Sequence, residues 1–267
     1  MPEATRADIV PAQWVQALER ATLEALSPQR VLSVGTHWLL PLDPGPMARS
    51  RSAVPLAHCD AVWREAPIDA VCAAYRTRQL PVAWRLPCID TPLHRALHER
   101  GFRPHDPTWV LHAPTQPEPA PALPPGWALA QQSRPDALWQ SVFLGPGFDA
   151  NEGQQRMAQL ARHSGNIFWT LTVDGQPACV AVMGWSHGWV GVHGLRTHTA
   201  LRGRGLASAL LRAVQSHAHR QRAQGVFLQV GADNPALALY RRRGWQPLWC
   251  YAYWRESVNA PPNPPNL

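Results

Sequence analysis

The chain contains no lysine. All 25 basic residues among its 267 positions are arginines, set against 18 Asp and Glu for a formal net charge of +7. With 28 prolines, this is the composition that a GC-rich coding bias produces. Every fixed positive charge is therefore a guanidinium, whose planar fork suits carboxylates and phosphates. Cysteine is scarce: five residues stand at 59, 72, 88, 179 and 250. An odd count, wide spacing and no C-x-x-C exclude a disulfide framework and a zinc site, and a reducing cytoplasm is the expected compartment. No apolar run approaches the ~18–20 residues of a membrane span. The first residues show no basic start followed by an apolar stretch, so no secretory signal is expected. Apolar residues are not themselves short, at 45% hydrophobic and 16% charged, so a packed core is available and a mostly disordered chain is excluded.

Histidine is plentiful at 12, and His94 and His98 have helical i, i+4 spacing. They lack the intervening acid and third ligand of a metalloprotease helix, so no metal is expected. Charge is unevenly placed. Residues 1–120 carry 12 Arg and 12 Asp or Glu; residues 121–267 carry 13 Arg and 6 Asp or Glu, which puts the whole excess in the second half. That half is suited to a polyanion, either a compact phosphate ligand or nucleic acid.

Residues 113–125 hold six prolines and read as an extended linker. It divides the chain into 1–112 and 126–267. In the second half, periodicity and turn signals predict strands near 127–130, 167–173, 178–185, 189–197, 226–230 and 248–254. Helices are predicted at about 135–143, 152–162, 206–223 and 235–243. Asp174-Gly175 is a hairpin signal. The first half ends similarly, with a strand at 83–89, a helix at 92–100 and a strand near 108–112. A shift of 143 residues places Asp90 on Asp233, Pro92 on Pro235, Arg100 on Arg243, Gly101 on Gly244, Phe102 on Trp245 and Pro104 on Pro247. Such a run suggests a duplicated fold. The copies differ where chemistry would sit: Tyr240 falls on Leu97, and no glycine occurs between Gly45 and Gly101.

Between the predicted strand ending at Thr197 and the helix with Leu206, Leu210, Leu211 and Val214 on one face lies Arg202-Gly-Arg-Gly-Leu-Ala-Ser208. A glycine-rich turn at a helix N-terminus offers backbone N–H groups and the positive end of the helix dipole to phosphate. Glycine lets the backbone approach closely. The pattern is neither a nucleotide P-loop nor a dinucleotide fingerprint. Arg-x-x-Gly-x-Ala, followed by Asp233-Asn234-Pro-Ala-Leu-Ala-Leu-Tyr240-Arg-Arg-Arg-Gly-Trp245, resembles the GNAT superfamily of acyl-CoA-dependent N-acyltransferases over residues 126–255. The first half resembles a degenerate GNAT repeat, as in tandem-GNAT proteins, over about 10–112.

The resemblance implies an α/β (α+β) fold of two tandem GNAT-like domains, each a mixed, mostly antiparallel twisted sheet flanked by helices. It implies a co-substrate, acetyl-CoA, and a small-molecule amine acceptor, with no metal. Arg202, Gly203, Arg204, Gly205, Leu206, Ala207 and Ser208 match the loop and helix start that take the CoA pyrophosphate. Leu195, Arg196 and Thr197 match the strand end that pairs with pantetheine, a form of strand addition. Asn234 matches the polar residue beside the pantetheine arm, although the family has one more residue before the tyrosine, which leaves Asp233 or Asn234 for that slot. Tyr240 matches the residue that protonates the leaving thiolate. One of Arg241, Arg242 and Arg243 is a candidate for the 3′-phosphate.

The chemistry asks for a donor facing the developing oxyanion, for which a backbone N–H near Leu195 is the candidate, and a proton for the thiolate from Tyr240. No Asp or Glu lies between Asp174 and Asp233, so the preceding strand offers no carboxylate base. His193, alternating with Leu195 and Thr197, is a candidate base with a pKa near neutrality, or else a packed strand histidine. His187 and His198 are weaker candidates. Two other functions fit the same features: a CoA-binding sensor without turnover, and a transferase acetylating aminoacyl-tRNA. CoA phosphates account for the charge more economically than RNA does, and no membrane partner is expected.

Overall fold

A computed structural model describes residues 10–117, 122–147 and 149–257; residues 118–121 of the expected linker lie outside the described residues. The first half runs α1 (Ala12–Leu26), β1 (Arg30–Val34), β2 (Trp38–Leu42), β3 (Val54–Pro55), α2 (Asp60–Arg64), α3 (Ile68–Arg76), β4 (Ala83–Pro87), α4 (Pro92–Glu99) and β5 (Phe102–Ala113). The second runs β6 (Trp127–Gln132), α5 (Ala137–Phe143), α6 (Ala150–Leu160), β7 (Ile167–Val173), β8 (Gln176–Ser186), β9 (Trp189–Thr197), α7 (Leu206–Arg220), β10 (Gly225–Gly231), α8 (Ala236–Arg242) and β11 (Gln246–Glu256). The element order expected for residues 126–255 is the order observed.

Local chemistry explains the boundaries. Asp136 accepts from Trp139 N at 2.8 Å and Asp149 from Glu152 N at 2.9 Å, each carboxylate satisfying an open N–H of a helix start. Thr91 caps α4 with Pro92 at the first helical position. Asp174 and Gly175 both take left-handed backbone at φ 49° and 77°, as a two-residue hairpin turn needs.

The fold class is the expected mixed α/β arrangement. A three-stranded antiparallel sheet, β1-β2-β3, lies beside an eight-stranded sheet of order β4-β11-β5-β10-β9-β8-β7-β6. One parallel bridge, Ala53 with Trp84, joins them. The sheet order contains an exchange. β11, from the second half, lies between β4 and β5 of the first; β5 in turn lies against β10 of the second. The β5–β11 ladder is symmetric under the 143-residue shift: Gln246 with His112 maps onto Arg255 with Arg103, and Tyr251 with Thr108 maps onto itself.

Helices cover both faces. α1 packs Val15, Leu18 and Ala21 against Val110, Trp189, Phe227 and Tyr251, so a first-half helix covers the second half's strands. α7 buries Leu206, Leu210, Leu211 and Val214 on the opposite face. The linker crosses α7, with Gln116 N on Gln215 O at 3.3 Å and Gln215 Nε2 on Pro114 O at 2.9 Å. Arg85 of β4 and Glu19 of α1 form a fully buried ion pair at 2.6 Å, and the guanidinium lies over the Tyr251 ring of β11 at 5.2 Å. Such a pair adds little net stability but penalises any arrangement that separates its members.

Two outcomes follow from this packing. Both neighbours of β11 belong to the first half, so residues 126–257 expressed alone should show no cooperative denaturant transition, whereas the whole chain should show one. Burial also holds three imidazoles neutral: His58 and His94 are pushed down to about 4 and His193 to about 3. The unfolded chain takes up these protons first, at an ordinary value of 6.5. Stability present above that value should therefore fall as pH drops from 6.5 through about 4, readable as a declining urea midpoint.

Candidate active site

β9 and β10 run parallel and pair only from Trp189 with Gly225 to Val192 with Leu228. Beyond that point both strands continue but part. A cavity of about 310 Å³ opens between them, walled by His193 to Arg196 of β9, Gln229 to Gly231 of β10, Asn234 and Tyr240. Where the ladder stops, backbone donors and acceptors on the facing edges are left for a third extended chain to use.

The parting coincides with a bulge. On β8, Val180 faces Arg196 and Val182 faces His193, so Ala181 opposes both Gly194 and Leu195. Gly194 takes φ +59°, the left-handed conformation such a bulge needs at its glycine, and a Cβ there would meet Phe143 at 3.0 Å. The carbonyl of Ala181 is taken up by the Trp139 indole N–H at 3.3 Å.

The bulge corrects one expectation. His193 does not share a face with Leu195 and Thr197, because the extra residue inverts the alternation. Leu195 packs with the α7 core, and Thr197 bonds the Cys179 thiol on that side at 3.3 Å. His193 lies against Phe227 on the α1 face. Arg196, also on that face, donates to the carbonyls of Phe143 at 2.6 Å and Pro146 at 2.7 Å, tying β9 to the loop after α5.

A second correction concerns proton affinity. His193 is buried, and desolvation, reinforced by the Arg49 charge, pushes it down to about 3 rather than near neutrality. Its Nε2 has no hydrogen-bond partner. The ring is a neutral polar group with one free nitrogen beside the cleft. His187 sits in the β8–β9 turn, at the far end of β9, paired with Glu24 at 3.3 Å. His198 gives its backbone N–H to Ala178 and does not line the cleft.

Tyr240 projects from α8 into the cleft with its ring against Trp245. Burial, with the nearby Cys179, pushes its phenol up to about 12, so the hydroxyl holds its proton at neutral pH. Asn234 also borders the cleft, and its Oδ1 accepts from Ala236 N at 2.9 Å, capping α8. Asp233 is exposed and, unlike Asn234, does not line the cavity.

The glycine turn lies exposed at the start of α7. Gly203 and Gly205 take φ +78° and +85°, and nothing lies within 4 Å of where a Cβ would stand on either. No side chain caps α7, so the open N–H groups at Leu206, Ala207 and Ser208 face that space. Arg202 and Arg204 are exposed beside it. A groove of about 370 Å³ continues from the turn, with Arg204, Arg212 and Arg243 on its walls and Trp127, Leu129 and Leu123 as its apolar lining. Ser208 lines this groove too. Of the three consecutive arginines, Arg241 lies over the Trp109 ring at 5.4 Å, and Arg243 alone reaches the groove. The donor set fits a pyrophosphate at the turn and a phosphorylated nucleoside beside it.

Residues 136–245 match the acetyltransferase (GNAT) family. Several solved GNAT structures share the fold at low identity. A GCN5-related N-acetyltransferase from Kribbella flavida superposes with a TM-score of 0.63 at 19% identity, covering 91% of this chain and 96% of that one. A tandem GNAT protein from the clavulanic acid biosynthesis pathway gives 0.61 at 16%, covering 94% and 96%. A GCN5-related N-acetyltransferase from Sphaerobacter thermophilus gives 0.55 at 18%, covering 93% and 94%. No curated protein matches the sequence.

Among the described residues, no helix is long and apolar enough to cross a membrane, and no cluster of three His, Cys, Asp or Glu is placed to hold a metal. Motif reading of the second half missed Gln229, whose Oε1 accepts from Tyr251 at 2.7 Å and whose Nε2 donates to Thr22 at 2.9 Å. It also missed the cleft wall supplied by Met47 and Arg49 of the first half. Nothing in the spacing within one half points to a residue donated by the other.

Gly205 offers a direct check of the phosphate turn. Gly205→Val adds a branched side chain at φ +85° and fills the open space. CoA binding measured by calorimetry should weaken at least tenfold, about 1.4 kcal/mol, while the unfolding midpoint stays within a few degrees of the parent.

Proposed function

We propose that the chain is an N-acetyltransferase with one working site, in residues 126–267, that moves acetyl from acetyl-CoA to a primary amine with both substrates bound together. On this reading 1–112 is a degenerate GNAT-like domain that supports the fold and walls the acceptor side. The observation that carries the proposal is the parting of β9 and β10 beside an open glycine turn, with a protonated Tyr240 between them.

Acetyl-CoA supplies the activated acyl group. Arg202 to Ser208 hold the pyrophosphate by backbone N–H groups and guanidinium charge. The free edges of Leu195, Arg196 and Thr197 pair with the pantetheine amides, and the Asn234 amide N–H₂, left over from capping, reaches the same arm. Backbone N–H groups at the Gly194–Leu195 bulge, where the β8 ladder is interrupted, face the carbonyl oxygen as charge builds on it. The amine attacks in its neutral form. Tyr240 gives its proton to the departing sulfur and recovers one as the new amide nitrogen loses its own. His193 hydrogen-bonds the neutral amine and takes no proton from it, since burial disfavours its charged form. Holding both reactants in one cleft supplies much of the rate without a strong base.

In the first half, Leu97 stands where Tyr240 stands in the second, and Trp38, Trp63 and Trp84 pack the core around it. One CoA per chain is therefore part of the proposal, as is a cytoplasmic setting, where the five free thiols stay reduced.

One observation favours a second reading, a CoA-binding module without turnover: no carboxylate is among the described residues that line the cleft. Tyr240→Phe separates the two. It keeps the ring and removes the hydroxyl. For an acetyltransferase, CoA affinity should stay near the parent value while kcat falls ~10²-fold or more. A kcat within about threefold of the parent would make Tyr240 a packing residue, and absence of thiol release from the parent over a pooled amine panel, with CoA still bound, would favour the binding module.

A further inference from the structure

We propose that the acceptor amine carries an oxyanion, a carboxylate or a phosphate, and that Arg49 and Arg51 bind it in a pocket where a first-half turn meets the exchanged strand β11. The inference rests on the N-acetyltransferase reading and names the substrate class for that site.

A second cavity of about 310 Å³ adjoins the cleft, and Met47, Arg49, Arg156, Gln229 and Gly231 wall both. Its remaining walls bring Arg51, Arg255, Tyr251 and Tyr253. Four guanidiniums thus converge on one small space. Two are neutralised: Arg255 pairs with Asp106 at 3.0 Å, and Arg156 pairs with Glu152. Asp106 is the one carboxylate among the described residues that line either cavity, and it is spent on Arg255. Arg49 reaches only the neutral Oε1 of Gln229, at 3.4 Å, and neither Arg49 nor Arg51 has a carboxylate within ion-pair distance among the described residues. Two adjacent like charges facing a cavity without a counter-ion repel each other, and a bound oxyanion relieves that repulsion.

The turn that presents them is rigid. Ser50 Oγ donates to Met47 O at 2.7 Å and Ser52 Oγ to Ala48 O at 2.9 Å, both from buried serines. Upstream, the buried Asp43 accepts from Gly45 N at 2.7 Å and from Arg162 at 2.5 Å, anchoring the turn to the end of α6. The backbone that carries both arginines is thus already ordered before binding, which lowers the cost of holding an anion there. The pocket opens on the α1 and α6 face, whereas the glycine turn lies at the start of α7 on the other face. Its arginines are therefore placed for the acceptor and not for the CoA phosphates. The same charge disfavours polycationic acceptors.

The experiment measures thiol release from acetyl-CoA with matched acceptors: alanine against alaninamide, and 2-aminoethyl phosphate against ethanolamine. One anionic member should exceed its neutral counterpart at least tenfold in kcat/KM, and which pair does so tells carboxylate from phosphate. Arg51→Gln and Arg49→Gln should raise the acceptor KM about tenfold or more with the KM for acetyl-CoA unchanged, the loss expected for a charge-assisted contact. Equal use of neutral and anionic members, or an unchanged acceptor KM in both variants, overturns the proposal. If no amine is acetylated while CoA binds, the transferase reading fails. Calorimetry of alanine and of 2-aminoethyl phosphate with the parent and Arg51→Gln then decides the pocket: binding lost in the variant supports it, and no binding to the parent overturns it.

Discussion

The position of β11 is the constraint on which the rest of the molecule depends. One strand from the second half completes the first half's sheet on one edge and bonds its own counterpart, β5, on the other. Backbone pairing of this kind is all or none, because a strand withdrawn from the middle of a sheet leaves two open edges. The buried Glu19–Arg85 pair beneath Tyr251 penalises partial separation further. The halves are thus joined by their ladders rather than merely docked, and each can place residues in the other's cleft. Met47 and Arg49 stand against β10 for that reason.

The cleft itself follows from two small departures from regular sheet. Pairing between β9 and β10 ends at Val192 and Leu228, and the Gly194 bulge inverts the alternation one residue later. Together they divide the opening between two environments. On the α7 side lie Leu195, Thr197 and an uncapped helix start; on the α1 side lie His193, Arg196 and the guanidiniums of the first half. Burial tunes both titratable groups toward neutrality, with His193 kept unprotonated and Tyr240 kept protonated. The cleft is polar in shape but carries no charged side chain of its own acting as acid or base.

The second half was readable because its signals are local. A hairpin at Asp174-Gly175, glycines at 203 and 205 and apolar stripes of period 3.6 on α7 are each set by neighbours within a few residues. The expected spans 167–173 and 189–197 match β7 and β9 as observed. The misreading of His193 has an equally definite origin. Strict alternation assumes an unbroken ladder, and Gly194 reads in sequence as an ordinary strand glycine until its opposition to Ala181 is seen. Proton affinity was misjudged with it, since burial depends on α1 and Phe227, which are distant in sequence. Gln229, Arg49 and Arg51 carried no local signature, because the cavity they line is walled by residues of both halves.

The exchange also bears on the order in which the chain can be assembled as it is made. β4 and β5 leave the ribosome long before β11, yet the place between them belongs to β11. The first half must wait, its two strands held apart or paired wrongly with each other, until more than a hundred further residues have been added. Pairings that span so much of the sequence are slow to form and leave sheet edges open to other chains meanwhile. A nascent chain of this protein therefore passes most of its synthesis without a finished centre. The region that closes last is the one on which the arginine-lined cavity is built.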